Sequence, residues 1–527
     1  MGEIKLLVHS ESTAKHIMDS TRSRVQKVNP FKLISLCLKY NNKKHATHEE
    51  MMRHLPWIIN LCIKWSAAVI STKRSFRDIN EEQSLELFQA VYSSLDFVPN
   101  GVMKKDGIDF FIRNIIYQQM IYQKTDALNT ISRQAFLFED LEKTHSIETK
   151  FKELTNVEIK DFLALSFVMI SLILSNESNT VFTANSFAII FDIIPKSTVI
   201  DFLNCLSIEQ SKLQDFAKAN MHSTPLVEYY LPTPFIEKPF IKVNDEYLQV
   251  HPQLTSTSLQ TFIYDLLRKN NAEEFMNKFG KLFEDCLHKL IIDSKIKHHT
   301  EKDLIGLLPR DNKVVDFVIH SNESNIYIDV KGVEIRSRGM VTLNPKDISG
   351  SIKTSVLKAI RQSLEVHEGL DKIKSPVIPF REESYIICVT FKNLYLGGGK
   401  HIFNSYAKED IVKIYEKFEE KHHIPYENIF CIAFEEFEYL LASCEYHKVE
   451  PQDVLRYIVK QNKNPSTSAF MLGQHLRDYF KTIKNSTLVN ESGLRIINRI
   501  TSKLSMPTKQ QIHADKAVNG DKLAAEH

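Results

Sequence analysis

Two short runs of alternating apolar side chains, joined by a polar turn, constrain the fold more than any other feature. They cover residues 314–319 and 325–331 and predict two strands of one hairpin. Side chains alternate between the faces of a strand, so Asp329 and Lys331 share a face opposite the apolar residues. If the strands pair antiparallel, Asp316 near the start of the first meets Asp329 near the end of the second. Two carboxylates and an ammonium then converge at the edge of an apolar sheet.

Such a cluster is costly to bury unless its charges are paired or bind a metal ion. Two carboxylates in one site repel each other unless a cation lies between them, and hard oxygen ligands favour Mg²⁺ or Mn²⁺. Asp316 and Asp329 are therefore candidate metal ligands. Lys331 would orient a water molecule or stabilise developing charge. The alternative is a solvated hairpin with a surface Asp–Lys pair that contributes at most about 1 kcal/mol.

A third acid lies upstream, on a predicted amphipathic helix. Phe283 and Leu287 begin an apolar stripe, and Glu284 flanks it, so that its side chain would lean over the sheet towards the metal. Asp285 is a weaker substitute for Glu284. Gly280 is expected to let this helix approach a neighbouring backbone closely.

In this order, with Glu284 on a helix, Asp316 on a strand and Asp329-Val330-Lys331 on the next, the residues resemble the PD-(D/E)XK nuclease superfamily. Twelve residues separate Asp316 from Asp329, and Val315 stands where many members have proline. The resemblance covers residues 255–435. It implies a mixed sheet flanked by helices, phosphodiester cleavage, and Mg²⁺ or Mn²⁺ held by both aspartates, Val330 and Glu284, with Lys331 as a further catalytic residue.

The segment after the hairpin is rich in cations, which would neutralise phosphates and bind nucleic acid with little sequence preference. A solvated helix face is an equally good reading of any one of them. Gln362 matches a position where some members of the superfamily carry a site glutamine or lysine. The candidate nucleic-acid contacts are Arg336, Arg338, Lys353, Lys358, Arg361 and Gln362.

Composition excludes several other classes of protein. The 527 residues carry a net charge of +2, so any basic surface must be local. Seven cysteines without CxxC spacing favour buried thiols in a reducing compartment over disulfides or a zinc site. No signal peptide is visible, and the most apolar segment, 162–174, is too short to span a bilayer. We therefore expect a cytoplasmic protein with no membrane partner.

The pattern predicts an α+β multidomain fold. A helical N-terminal region, 1–230, is followed by a hairpin connector at 231–255, an α/β core with a central mixed sheet at 256–504, and a disordered tail at 505–527. The resemblance implies that this core is restriction-endonuclease-like. Helices are expected at 30–39, 51–71, 81–95, 108–122, 159–174, 256–269, 271–293, 349–367, 408–421 and 435–445, with two or three more in 180–213. Strands are expected at 384–391 and 428–434, and a hairpin at 239–252 about Asn244-Asp245.

The helical region carries no chemical motif, so by elimination it is a recognition, regulatory or oligomerisation module. A helical sensor fused to a nuclease resembles stand-alone bacterial anti-phage defence nucleases, in which a toxic DNA endonuclease waits for a phage component. Two alternatives stay open. The same site would cleave RNA, for example tRNA, or the fold would be an inactive nucleic-acid-binding scaffold.

Overall fold

The computed structural model describes residues 11–71, 75–94, 107–124, 126–176, 179–309, 313–335 and 337–502. The fold is mixed α+β: a helical N-terminal half is followed by a half that contains the larger of two mixed sheets. The predicted disordered tail, 505–527, lies outside the described residues. None of the helices described is long and apolar enough to cross a bilayer.

Twelve α-helices are described before the first hairpin. They are α1 (Glu11–Val25), α2 (Pro30–Asn41), α3 (His48–Arg53), α4 (Pro56–Ala67), α5 (Glu81–Ser93), α6 (Ile108–Gln119), α7 (Ala127–Phe138), α8 (Ser146–Thr155), α9 (Ile159–Ser175), α10 (Lys196–Cys205), α11 (Leu213–Ala219) and α12 (Pro225–Tyr230).

The structure differs in detail from two of the predictions for the N-terminal half. The helix expected at 51–71 is split into α3 and α4, because Pro56 starts the second helix and Leu55 before it has a left-handed φ of 54°. Proline lacks an N–H and disfavours helical geometry in the preceding residue. In 180–213 the only complete α-helix is α10. The remainder forms 3₁₀ turns and two short strands, β1 (Val181–Phe182) and β2 (Ser207–Glu209).

The first sheet confirms the hairpin predicted about Asn244-Asp245. Strands β3 (Phe240–Val243) and β4 (Glu246–Gln249) pair antiparallel, and Asn244 takes the left-handed φ of 55° that a tight turn requires. The sheet order is β1-β4-β3-β2, with β1 antiparallel to β4 and β2 parallel to β3. The hairpin is therefore part of a sheet whose other two strands, β1 and β2, come from the N-terminal half.

The second sheet has the order β5-β6-β7-β8-β9 and runs in sequence order. Its strands are β5 (His298–Thr300), β6 (Phe317–His320), β7 (Ser324–Lys331), β8 (Glu383–Thr390) and β9 (Ile429–Ala433). The first three pair antiparallel, whereas β7, β8 and β9 are parallel.

Twelve further α-helices are described after the first hairpin. They are α13 (Pro252–Asn270), α14 (Ala272–Asp293), α15 (Glu301–Leu307), α16 (Ser337–Met340), α17 (Pro345–Ile352), α18 (Val356–Ile373), α19 (Gly399–His401), α20 (Lys408–Tyr415), α21 (Phe434–His447), α22 (Pro451–Lys463), α23 (Leu472–Phe480) and α24 (Thr487–Thr501).

The helix predicted at 349–367 is divided, because Ser355, with φ −119° and ψ −93°, lies between α17 and α18. The helix predicted at 408–421 ends at Tyr415, and a 3₁₀ turn follows at Glu420–His422.

Helices cover both faces of the second sheet. Ile326 and Ile328 belong to a core that also contains the apolar stripe of α14, whereas Tyr327 belongs to a core with the buried face of α18. The first core extends into α7 and α9 and is completed by α24. The described chain therefore holds a central mixed sheet whose α14-side core includes helices of the N-terminal half.

Candidate functional site

The hairpin register brings the two predicted aspartates together. Phe317 pairs with Ile328 across β6 and β7, so Asp316, just before β6, faces Asp329. The strand begins at Phe317 and not at residue 314 as expected, which leaves Asp316 at the strand's entrance. Its Oδ2 accepts a hydrogen bond of 2.6 Å from the main-chain N–H of Val330. Val330 thus contacts Asp316 through its main-chain N–H. The expected role of Val330 as a metal ligand stays a prediction.

Lys331 and Asp329 lie on the same face of β7, as the alternation predicts. Lys331 Nζ is 2.6 Å from Asp329 Oδ2, and the two side chains are only 14% and 1% exposed. Asp329 Oδ1 is buried and accepts no hydrogen bond of good geometry within the described part of the chain. A buried carboxylate oxygen without a hydrogen-bond donor is able to accept a cation or a water molecule.

The electrostatics of the site follow from this crowding. Burial, and then the negative charge of Asp329, raise the pKa of the Asp316 carboxyl. Burial also raises the pKa of Asp329, against the opposing charge of Lys331. Burial by itself lowers the pKa of Lys331, but the charge of Asp329 and their hydrogen bond outweigh it, and the net pKa is raised. Ionising both acids therefore costs free energy, and a bound cation would remove that cost.

A second group of acids lies at the same edge of the sheet. Carboxylate oxygens of Glu284, Glu301 and Asp316 lie within 4.8 Å of one another. Glu284 comes from α14, as predicted, and its Oε1 is 3.0 Å from Lys281 Nζ. Glu301 was not predicted. Its main-chain N–H donates a 2.8 Å hydrogen bond to the Asp316 carbonyl, which fixes Glu301 beside that residue.

These acids form a donor set suited to a hard divalent ion. Glu284, Glu301 and Asp316 supply oxygen atoms only. Asp329, which faces Asp316, adds a buried Oδ1 that accepts no hydrogen bond of good geometry among the described residues. Mg²⁺ or Mn²⁺ would be held by Asp316 and Asp329, with Glu284 and Glu301 reaching it directly or through water. The residues present therefore fit the predicted metal.

The expected role of Gly280 is wrong, because a Cβ added there would meet no atom within 4 Å. The close approach occurs instead at Gly332, directly after Lys331, where a Cβ would lie 3.0 Å from the Phe279 ring. The Gly332 carbonyl accepts a 2.8 Å hydrogen bond from the Tyr264 hydroxyl. These contacts fix the point where β7 ends, next to the catalytic lysine candidate.

The residues predicted to contact nucleic acid differ in their exposure to solvent. Lys353 and Lys358 are exposed, and the charge of Lys358 acts on the pKa of Asp329. Arg361 is half-buried, with Nε 3.7 Å from Glu365 Oε1. Arg336 lies outside the described residues, as does the side chain of Arg338 in α16.

Gln362 differs from the prediction. Its side chain is 8% exposed, and its amide donates a hydrogen bond to the Val314 carbonyl, two residues before Asp316. That geometry suits a residue that positions the entrance of β6. It leaves little surface for a direct contact with nucleic acid.

The sequence matches no protein-family model, no curated protein and no solved structure in the comparisons made.

Proposed function

We propose that this chain is a metal-dependent endonuclease that hydrolyses the phosphodiester bonds of DNA. The observation that carries the proposal is the meeting of Asp316, Asp329 and Lys331 at one end of the hairpin. There the 2.6 Å ion pair joins Asp329 to Lys331 within β7, and the 2.6 Å hydrogen bond joins Val330 of β7 to Asp316 at the entrance of β6. The arrangement agrees with the resemblance to PD-(D/E)XK nucleases, including the helix that carries Glu284.

Each residue has a distinct role in this proposal. Asp316 and Asp329 hold Mg²⁺ or Mn²⁺, which when bound supplies an activated water and neutralises charge on the phosphate. Lys331 keeps its proton because of Asp329 and presents a positive charge towards the attacked phosphate. Glu284 and Glu301 complete the negative field that draws the cation to this edge.

The N-terminal half is proposed to sense a trigger, by analogy with anti-phage defence nucleases. What supports a regulatory link is the contact of α6 with the segment that follows β7. Arg113 is fully buried and donates hydrogen bonds to the carbonyls of Gly339 and Met340. A change in α6 would therefore act on the segment that follows β7.

Cleavage assays with matched variants test the proposal. The purified full-length chain is incubated with supercoiled plasmid and with total RNA, in Mg²⁺, in Mn²⁺ or in EDTA, before and after addition of lysate from phage-infected cells. Asp329→Asn and Lys331→Ala should abolish metal-dependent cleavage, since each removes one half of the buried ion pair. Lys372→Ala and Asp245→Asn are the controls, because both residues are exposed and lie outside the site.

Preferential loss of plasmid supports a DNase, and preferential loss of RNA supports the same site acting on RNA. Equal cleavage by wild type and by both site variants would refute the site assignment. Nucleic-acid binding without any cleavage, in every condition, would instead support an inactive scaffold.

A further inference from the structure

A second group of metal-binding side chains lies in the N-terminal half, far in sequence from the acidic site. It is formed by His45, Glu50 and His54, each of which offers one ligand atom within 4.8 Å of the other two. Glu50 and His54 are four residues apart about the short helix α3, so they share one side of it. His45 comes from the loop before α3.

The geometry of this group is close to that of a coordinated ion. His45 Nδ1 lies 3.9 Å from Glu50 Oε1, and the rings of His45 and His54 have their centroids 4.3 Å apart. Ligand atoms about 2.0–2.1 Å from a tetrahedral ion are roughly 3.3 Å apart. Binding an ion would therefore shorten the distances between the ligand atoms of this group, by a few tenths of an ångström for the closest pair and by more than one ångström for the most distant.

The surroundings hold the ligands in place. Glu50 Oε2 accepts a 2.8 Å hydrogen bond from Ala46 N–H, which leaves Oε1 directed at His45. The ring of Tyr40 packs against His54 at a centroid distance of 4.9 Å. His54 Nδ1 is shielded from solvent and has no hydrogen-bond partner among the described residues. A buried ring nitrogen in this state is available to a metal.

We propose that His45, Glu50 and His54 bind a divalent transition metal, with zinc as the expected ion and water as the fourth ligand. Two imidazoles and one carboxylate are a donor set typical of zinc, whereas Mg²⁺ favours oxygen ligands alone. This group is separate from the candidate nuclease site, whose acidic side chains offer oxygen ligands only.

A bound ion would stabilise a weak part of the fold. Helix α3 has six residues, too few to be stable by itself, and among its side chains only that of Met51 is buried. Directly before this loop, Asn41 and Asn42 donate hydrogen bonds to the carbonyls of Val250 and Gln249. The ion would therefore stiffen the segment that contacts the chain where it enters α13.

The test is zinc binding by the full-length chain after removal of metal with EDTA. Titration with Zn²⁺ is followed by calorimetry in excess Mg²⁺, in the wild type and in an Asp316→Asn background, so that the acidic site does not contribute. We expect one zinc per chain. His45→Ala, Glu50→Gln and His54→Ala should each weaken binding by at least about tenfold, because each removes one of three protein ligands.

His48→Ala is the matched control, since His48 lies in the same segment but its Nε2 is hydrogen-bonded to Gln123. Co²⁺ in place of zinc should give the visible absorption of a tetrahedral site in the wild type and in His48→Ala. Circular dichroism confirms that each variant folds, and Glu50→Gln tests the site if a histidine variant does not. Absence of zinc uptake by the wild type, or unchanged binding by Glu50→Gln and the folded histidine variants, would overturn the proposal.

Discussion

At the scale of single residues, Asp316 is a side chain whose negative charge the fold tolerates poorly. Its carboxyl is largely buried, faces Asp329 and has Glu284 nearby, all of which raise its pKa. A carboxyl whose pKa is higher in the folded state contributes stability that is present at low pH and lost as the pH rises through that pKa. At neutral pH without metal, the ionised site therefore destabilises the fold.

The change Asp316→Asn should remove this cost while keeping an oxygen to accept the Val330 N–H. In EDTA near pH 8, we expect the free energy of unfolding to rise by about 1–3 kcal/mol. Mg²⁺ should raise the melting temperature of the wild type and leave that of Asp316→Asn nearly unchanged. Denaturant and thermal unfolding measure both effects, with Asp245→Asn as the control. A variant less stable than the wild type in EDTA would contradict the electrostatic account.

At the scale of elements, the beginning of α13 depends on a histidine that the fold keeps neutral. His251 is fully buried against the ring of Tyr122, and its Nδ1 accepts a 3.1 Å hydrogen bond from Gln253 N–H. Burial, and to a lesser degree the charge of His45, lower the pKa of His251 to about 3. Because this pKa is lowered in the folded state, only the unfolded chain binds the proton at mildly acidic pH. The free energy of unfolding therefore falls as the pH drops below about 6.5.

The change His251→Asn keeps a side chain that can cap the helix but does not titrate. The stability of the wild type relative to this variant should fall by about 2 kcal/mol between pH 7 and pH 5. Urea unfolding of both proteins at several pH values gives this difference, in which the other histidines cancel. His145→Asn, which replaces another imidazole that accepts a main-chain hydrogen bond at a helix N-terminus, is the matched variant measured alongside. A pH-independent difference for His251→Asn would show that the imidazole does not stay neutral.

The elements also show what the sequence could predict. Strands β7 and β8 follow from their alternation and apolar runs, and the meeting of Asp316 with Asp329 follows from antiparallel pairing alone. Strand β5 was missed because His298-His299-Thr300 has no apolar alternation and is specified by its partner β6. Glu301, the residue directly after β5, was not predicted for the same reason. Its one local signal was the capping pattern of Thr300 and Asp303, which marks the beginning of α15.

At the scale of the whole molecule, the helical half and the half with the candidate site share buried contacts. Besides its bonds to Gly339 and Met340, Arg113 of α6 stacks on Tyr117, whose hydroxyl donates to the Leu394 carbonyl. Asp109 of the same helix pairs with His401 at 3.0 Å. These long-range contacts are not visible as any pattern in the sequence, which is why the two halves were predicted as separate regions.

The change Arg113→Met should loosen this contact. It leaves two buried carbonyls without their donor, and we expect a loss of about 2–4 kcal/mol in the free energy of unfolding. Hydrogen exchange at the amides of α16 and α17 should become faster. Arg53→Met is the control, because Arg53 is exposed and, among the residues that the structure describes, forms an ion pair with Glu49 on its own helix, a contact that contributes about 0.5 kcal/mol. Unchanged exchange in α16 for Arg113→Met would mean that α6 does not hold this segment.

We propose that Asp316 and Asp329 jointly bind a divalent metal at the end of the hairpin. Crystals of the full chain soaked in Mn²⁺, with anomalous difference density recorded at a wavelength where manganese scatters, would locate the ion. We expect a peak between the two carboxylates, close to Glu284 and Glu301, and no peak there in Asp329→Asn. Manganese density only elsewhere in the wild type, or an unchanged peak in that variant, would contradict it.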